Sequence, residues 1–221
     1  MTRRLVLWRH GRTAWNADRR FQGQEDVPLD EQGVRQAAEA ARHLAVLPPD
    51  RIISSDLGRA RVTAGALAAI TGLEVHLDER LRETFAGDWQ GLSRDELIAG
   101  HADDLTRWAA GSDLRPGGGE RRSEVADRMV AAITEALAEV PAGGTLVVAT
   151  HGGSARAAVG SLLELPMPNW AILGVLTNCA WTVLSERVGD QTDDEGRPLA
   201  RWRLEEYNAR SLPETAFGDD Q

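Results

Sequence analysis

Apolar residues fall into two kinds of run along the chain. Four are short and apolar or nearly so: "RLVLW" (4 to 8), "RIISS" (51 to 55), "LEVHL" (73 to 77) and "TLVVAT" (145 to 150). The first and last of these, with no polar alternation, are of the kind buried on both faces of a sheet. Between them apolar positions recur every three to four residues, as on one face of a helix. Asp30 is placed to cap a first helix that lines up Val34, Ala37, Ala38, Ala41, Leu44 and Ala45 and stops at Pro48-Pro49. "LGRARVTAGALAAIT" makes a second, broken at Gly72, and a third runs from about 123 to 140 before Pro141-Ala142-Gly143-Gly144. Strands alternating with helices predict a doubly wound α/β sheet. From 84 to 122 the pattern loosens into short helical pieces and "RPGGGERR", the signature of a small inserted cap. Past 174 it changes again: "VLTNCAWTVLSE" and "LARWRLEEY" predict two antiparallel strands joined by the acidic "RVGDQTDDEGRP". One domain over 1–208 and a disordered tail, 209–221, are the expected organisation.

Composition narrows what such a sheet can do. The net charge of −9 argues against a nucleic-acid or membrane-surface protein held by bulk positive charge. All 25 basic residues are arginine. Without a primary amine there is no Schiff-base chemistry and no phosphate-loop lysine, and anions must be gripped by guanidinium forks. The single Cys179 forbids an internal disulfide or a cysteine-based zinc site and suits a reducing, cytoplasmic compartment. No run approaches the roughly 20 apolar residues of a membrane span, and the N-terminus lacks the apolar segment of a signal peptide. No cofactor or metal is called for.

The chemistry sits where the strands end. "LVLW" and "LVVAT" each lead to a histidine and a glycine, in Arg9-His10-Gly11 and Thr150-His151-Gly152-Gly153. Carboxyl ends of strands in open α/β sheets face the ligand crevice, so both imidazoles share one cleft if the two strands are neighbours. "SSDLGRA" delivers Arg59 to the same edge from the first turn of the next helix, and "RLRETFAGDWQG" supplies Glu83. Arg9 and Arg59 can hold a phosphate dianion while glycine lets backbone N–H groups approach it. One imidazole can attack phosphorus while the other donates to the equatorial oxygens, and a protonated Glu83 can supply the leaving alkoxide with a proton. Attack needs a neutral ring, with one nitrogen tied to a carbonyl and the other free.

"RHGRTAWN", "SSDLGRA", "RETFAGDWQG" and "ATHGG", in that order, resemble the motifs of the histidine phosphatase superfamily, branch 1, which includes the cofactor-dependent phosphoglycerate mutases. The likeness spans nearly the whole chain. It implies a three-layer fold with a mostly parallel mixed sheet flanked by helices. It implies that His10 is the phosphorylated nucleophile, that Arg9, Arg59 and His151 form the phosphate pocket with Asn16 beside them, and that Glu83 is the proton donor. "LPMPNWAILGVLTNCAWTVLS" and "RWRLEEYNA" are further similar to the actinobacterial glucosyl-3-phosphoglycerate phosphatases. In that group Gln22 and Gly23 would contact the substrate, and the enzymes are homodimers; Gly152 is a further candidate to contact the phosphate. Arg12 stands where the family more often has Glu or Gln, and Arg121 where "GGES" is commoner.

The expected activity is thus a metal-independent phosphomonoesterase for a small anionic metabolite. A broad-specificity phosphatase, a phosphoglycerate mutase and a non-catalytic binder of phosphorylated ligands stay open beside it. Asp88 rivals Glu83 as the acid. Arg12, Arg19 and Arg20 read either as a cationic lip or as solvated surface. Glu120 either lines the pocket or serves a turn. Trp15, Trp89, Trp170, Trp181 and Trp202 favour packing over sugar stacking. His43, His76 and His101 fall on a helix face, a strand and a loop without partners.

Overall fold

The computed structural model describes residues 2–187, 189, 192 and 199–210. Strands β1 (Arg4–Arg9), β2 (Arg51–Ser54), β3 (Val75–Leu77), β4 (Thr145–Thr150), β5 (Trp181–Glu186) and β6 (Trp202–Ala209) form one six-stranded sheet in the order β3-β2-β4-β1-β5-β6. The first four are parallel to one another, β5 runs antiparallel to β1, and β6 runs antiparallel to β5. Most of the acidic connection after β5, and the tail beyond 210, lie outside the described residues. The helices are α1 (Ala14–Ala17), α2 (Glu31–Leu44), α3 (Gly58–Thr71), α4 (Arg94–Ala109), α5 (Arg122–Leu137) and α6 (Gly152–Leu162). None of the described helices is long and apolar enough to cross a membrane.

Two apolar layers sandwich the sheet. Leu5, Leu7, Leu146 and Val148 pack against α5 and α6 on one face; Val6, Trp8, Ile52 and Val147 pack against α2 and α3 on the other. Successive side chains of β1 and β4 thus enter opposite cores, which is why these runs carry no polar alternation.

Several elements differ from the sequence reading, and three bear on the fold first. The buried stripe of α2 is Gly33, Ala37, Ala40, Ala41 and Leu44, whereas Val34 is half exposed. A Cβ on Gly33 would come within 2.0 Å of the Arg12 carbonyl, so close backbone contact with residues 11 and 12 turns the helix away from the expected face. Second, the cap holds a sixteen-residue helix, α4, with Ser93 and Glu96 as its capping box and a kink at His101. Its sparse apolar positions, of which only Leu97 is buried, hid it from a periodicity argument. His101 therefore lies in a helix, 5.9 Å from the Trp89 ring, and His43 stacks on Trp181. Third, the chain from 175 to 180 is irregular, and β5 begins only at Trp181. Its backbone serves the site.

Candidate active site

β1 and β4 are adjacent and in register, with Arg9 opposite Thr150. His10 and His151 follow at the same edge, and their ring centroids lie 5.1 Å apart. The mount of His10 is rigid because its backbone is held from both sides. Its N–H donates to Thr150 O (3.0 Å), and its carbonyl accepts from Cys179 N (3.1 Å) and Asn178 Nδ2 (3.2 Å). Asn178 is a site residue that the sequence reading missed. It stands between Thr177 and Cys179 just before a strand, with no pattern to mark it.

Within the ring, Nδ1 of His10 lies 2.7 Å from the Gly11 carbonyl. A carbonyl only accepts, so Nδ1 carries the proton and Nε2 keeps its lone pair. Burial pushes the His10 pKa well below the usual histidine range, and the charges of Arg59 and Arg9 push in the same direction. His151, fully buried, is lowered for the same reasons in the same order of burial before charge. Arg59 fixes its tautomer. The guanidinium Nε donates to His151 Nδ1 (3.2 Å), so the imidazole proton must sit on Nε2, which lies 2.9 Å from Ser55 Oγ.

Arg59 is 1 % exposed, and its Nη1 and Nη2 donate to the carbonyls of Glu25 (2.6 Å) and Gly23 (2.8 Å). Burial pulls its pKa down to about 10 against the opposing pull of Glu83. Three of its five N–H groups are thus committed to protein, and one on each terminal nitrogen remains. Arg9 donates through Nη1 to the Leu176 carbonyl and packs beside Gly152, the first residue of α6.

Asn16 joins them through α1. Its Oδ1 accepts from Thr13 N (3.2 Å), Thr13 Oγ1 (3.1 Å) and Asn178 Nδ2 (3.1 Å), while its Nδ2 donates to none of the described residues. Gln22 is buried with an unpartnered Oε1. Gly23 must be glycine: its φ is +54°, and a Cβ would meet Gln90 Oε1 at 2.2 Å. Gly11 serves a different purpose from the one expected. Its N–H donates to Thr63 Oγ1 (3.1 Å), and a Cβ there would strike the Gly33 carbonyl at 2.3 Å. It fits the loop to α2 and points no N–H at an anion.

Glu83 sits at the N-terminus of α6. Its Oε1 accepts from Thr84 N (2.8 Å) and Ser154 N (2.9 Å), its Oε2 from Gly153 N (2.9 Å). Its carbonyl accepts from Gln24 Nε2 (3.0 Å) and Arg128 Nη2 (2.9 Å). Arg128 also donates to the carbonyls of Arg80 and Arg82 and pairs with Glu120. Glu120 accepts in turn from Phe85 N (2.8 Å), so it braces the loop behind Glu83. Asp88 is exposed in the turn Gly87–Trp89, away from these contacts.

Other candidates stay outside this arrangement. Arg12 pairs with Asp30, Arg20 reaches the Gly91 carbonyl and Glu96, and Arg121 binds the Asp113 carbonyl at the start of α5. Trp89, Trp170, Trp181 and Trp202 are buried in packed clusters, and Trp15 is half buried against Gly91.

Fold and site together define an α/β protein whose parallel strands end on a pair of buried imidazoles flanked by two guanidinium groups and a carboxylate. Residues 5–197 match the histidine phosphatase superfamily (branch 1), and the chain belongs to that family. It is 42% identical over 214 residues to a glucosyl-3-phosphoglycerate phosphatase of Mycobacterium tuberculosis, covering 94% of this chain and 95% of the relative. It is 37% identical over 178 residues to a probable phosphoglycerate mutase of Salmonella paratyphi C, covering 80% of this chain and 81% of that one. The solved structure of a mycobacterial glucosyl-3-phosphoglycerate phosphatase in complex with VO3 superimposes with a TM-score of 0.83 at 40% identity, covering 94% of this chain and 99% of the other. The chain is a phosphatase, a hydrolase of the histidine phosphatase kind.

Proposed function

We propose that this protein removes the phosphoryl group from glucosyl-3-phosphoglycerate through a phosphohistidine at His10, yielding glucosylglycerate and inorganic phosphate. The observation that carries the chemical step is the tautomer of His10. With Nδ1–H bound to the Gly11 carbonyl, Nε2 presents an unprotonated lone pair to an anion site without waiting for a general base. The substrate follows from the near full-length likeness to the mycobacterial relative.

The remaining N–H groups of Arg59, the Arg9 side chain and Asn16 Nδ2 hold the phosphate dianion. Nε2 of His10 attacks phosphorus and the bond to the ester oxygen breaks; His151 Nε2–H turns from Ser55 to an equatorial oxygen as charge spreads there. The alkoxide takes a proton from Glu83. Its Oε1 already accepts two N–H bonds, whereas Oε2 accepts one and keeps a lone pair to carry that proton. In the second half Glu83 takes a proton from water, the hydroxide attacks the phosphohistidine, and phosphate leaves with His10 neutral again. Gln22 and Gly23 contact the rest of the substrate, residues 84–122 act as the cap of a single domain over 1–208, and the enzyme is a cytoplasmic homodimer.

A phosphate-release assay over glucosyl-3-phosphoglycerate, mannosyl-3-phosphoglycerate, 3-phosphoglycerate, sugar phosphates and p-nitrophenyl phosphate tests the substrate. Catalytic efficiency should be highest for the first. Equal efficiencies across the panel would instead make the chain a broad-specificity phosphatase, and isomerised phosphoglycerate without phosphate release a mutase. Sedimentation at micromolar concentration tests the dimer.

A further inference from the structure

Arg122, at the first position of α5, is 7 % exposed, and its Nη2 has no hydrogen-bond partner. It makes no ion pair with any described residue. The carboxylate of Asp113, whose charge favours the guanidinium, accepts instead from Ser123 N (3.0 Å) and Ser123 Oγ (2.7 Å). The face of the Trp108 ring and the charge of Asp113 favour a cation here, but neither gives it a hydrogen-bonded counter-ion. It lies at the positive end of a sixteen-residue helix, and the charge of Arg156 bears on it. Burial, with Arg156 adding to it, pulls its pKa down to about 10. A buried guanidinium without a counter-ion is costly unless a ligand supplies one.

Its surroundings hold a second unused donor. The guanidinium lies 4.3 Å from the centroid of the Trp108 ring, whose Nε1 is likewise buried and unpartnered. Trp108 meets Phe21, the neighbour of Gln22. Arg156 follows Gly153 by one turn on the same face of α6, and a Cβ at Gly153 would come within 2.8 Å of Glu83 Oε1. Arg122 and Trp108 thus join the cap helix α4 to the start of α5, and the charge of Arg156 reaches them from α6, the helix whose first turn holds the Glu83 carboxylate.

We infer that Arg122, with Arg156 and the indole N–H of Trp108, forms an anion subsite that binds a carboxylate on the leaving group, selecting phosphate monoesters of hydroxy acids. This rests on the phosphatase reading above and specifies the part of the substrate that the phosphate pocket does not touch.

The test uses competitive inhibition of p-nitrophenyl phosphate hydrolysis by 3-phosphoglycerate and by glycerol 3-phosphate, which differ in the carboxylate. Arg122→Gln should weaken 3-phosphoglycerate by about tenfold or more, the loss of a charge-assisted hydrogen bond, and glycerol 3-phosphate by less than about threefold. Trp108→Phe, which keeps a ring and removes the donor, should weaken 3-phosphoglycerate by about threefold with the same selectivity. Should Arg122→Gln fail to fold, Arg122→Lys and Trp108→Phe carry the comparison. Equal effects on both inhibitors in the folded variants would overturn the inference. Failure of glucosyl-3-phosphoglycerate as a substrate, with the inhibitor ratio still shifted, would instead overturn only the named substrate.

Discussion

The two halves of the site are built differently. On the His10 side, each group hangs from a buried parallel strand or the first turn of the helix after it, and sheet register alone sets the distance between the imidazoles. On the Glu83 side, the carboxylate rides on a loop between short turns, fixed by N–H groups of α6 and by Arg128, Gln24 and Glu120 from three separate segments. The first half is a rigid mounting made by the core. The second is a braced arm, and its position depends on polar contacts that can be removed one at a time.

This contrast orders the consequences of mutation. The largest belongs to the mounting. Replacing His10 by alanine should lower kcat by about 10⁵-fold or more on every ester, because the covalent route itself is lost. Rapid-quench labelling should then find no acid-labile phosphate on the protein. A variant retaining near-normal turnover would place the nucleophile elsewhere.

The arm should discriminate among leaving groups where the mounting does not. Glu83→Gln should slow alkyl phosphates by about 10²- to 10³-fold while p-nitrophenyl phosphate, whose phenolate leaves without a proton, falls by less than about tenfold. An amide nitrogen also faces an N–H group in place of one oxygen, so some stability is lost as well, and thermal denaturation should accompany the kinetics. Identical losses on both esters would remove Glu83 from the proton-transfer role.

One step further back, Arg128→Met strips donors from the carbonyls of Arg80, Arg82 and Glu83 and leaves Glu120 without its ion-pair partner. The expected cost is about 2 kcal/mol in urea unfolding. Alkyl-ester turnover should fall by about tenfold through kcat, with p-nitrophenyl phosphate within about threefold of wild type. A uniform fall on both would mean that the bracing is merely structural.

The same contrast explains what could be read from the sequence. Continuous apolar runs located β1, β2 and β4, and the residues following each run, Arg9-His10, Ser55 to Arg59 and His151, came with them, since strand ends inherit their position from the core. Nothing comparable announces Asn178, Gln24 or Arg128. Each reaches the site by a side chain from a segment remote in sequence, and its residue type is ordinary for an exposed loop or helix. Helix α6 escaped too, because Gly152-Gly153 at its start look like a turn until the Glu83 carboxylate is seen to need close backbone there. Glycines misled at Gly11 as well: its missing Cβ accommodates the Gly33 carbonyl, a packing contact that chemistry-minded reading of "RHG" assigns to the phosphate.

The smallest expected effect concerns protons and separates the halves without any substrate. Both site histidines have folded-state pKa values well below the ordinary 6.5, with burial as the leading cause. Above that value neither state binds the proton, and these groups contribute nothing to the pH dependence. Below it the unfolded chain takes up protons that the folded one refuses, so stability falls as pH drops, by up to about 1.4 kcal/mol per pH unit for each histidine. Carboxylates paired in the folded state lose stability in the same direction, so a wild-type profile alone cannot assign the slope. The difference between wild type and His10→Asn can. Measured by urea unfolding between pH 7 and 5, the variant's profile should be shallower, and its stability should approach or exceed that of wild type at the acid end. Parallel profiles would mean that His10 binds its proton when folded as readily as when unfolded, and the nucleophile would then have to be deprotonated in each turnover before it could attack.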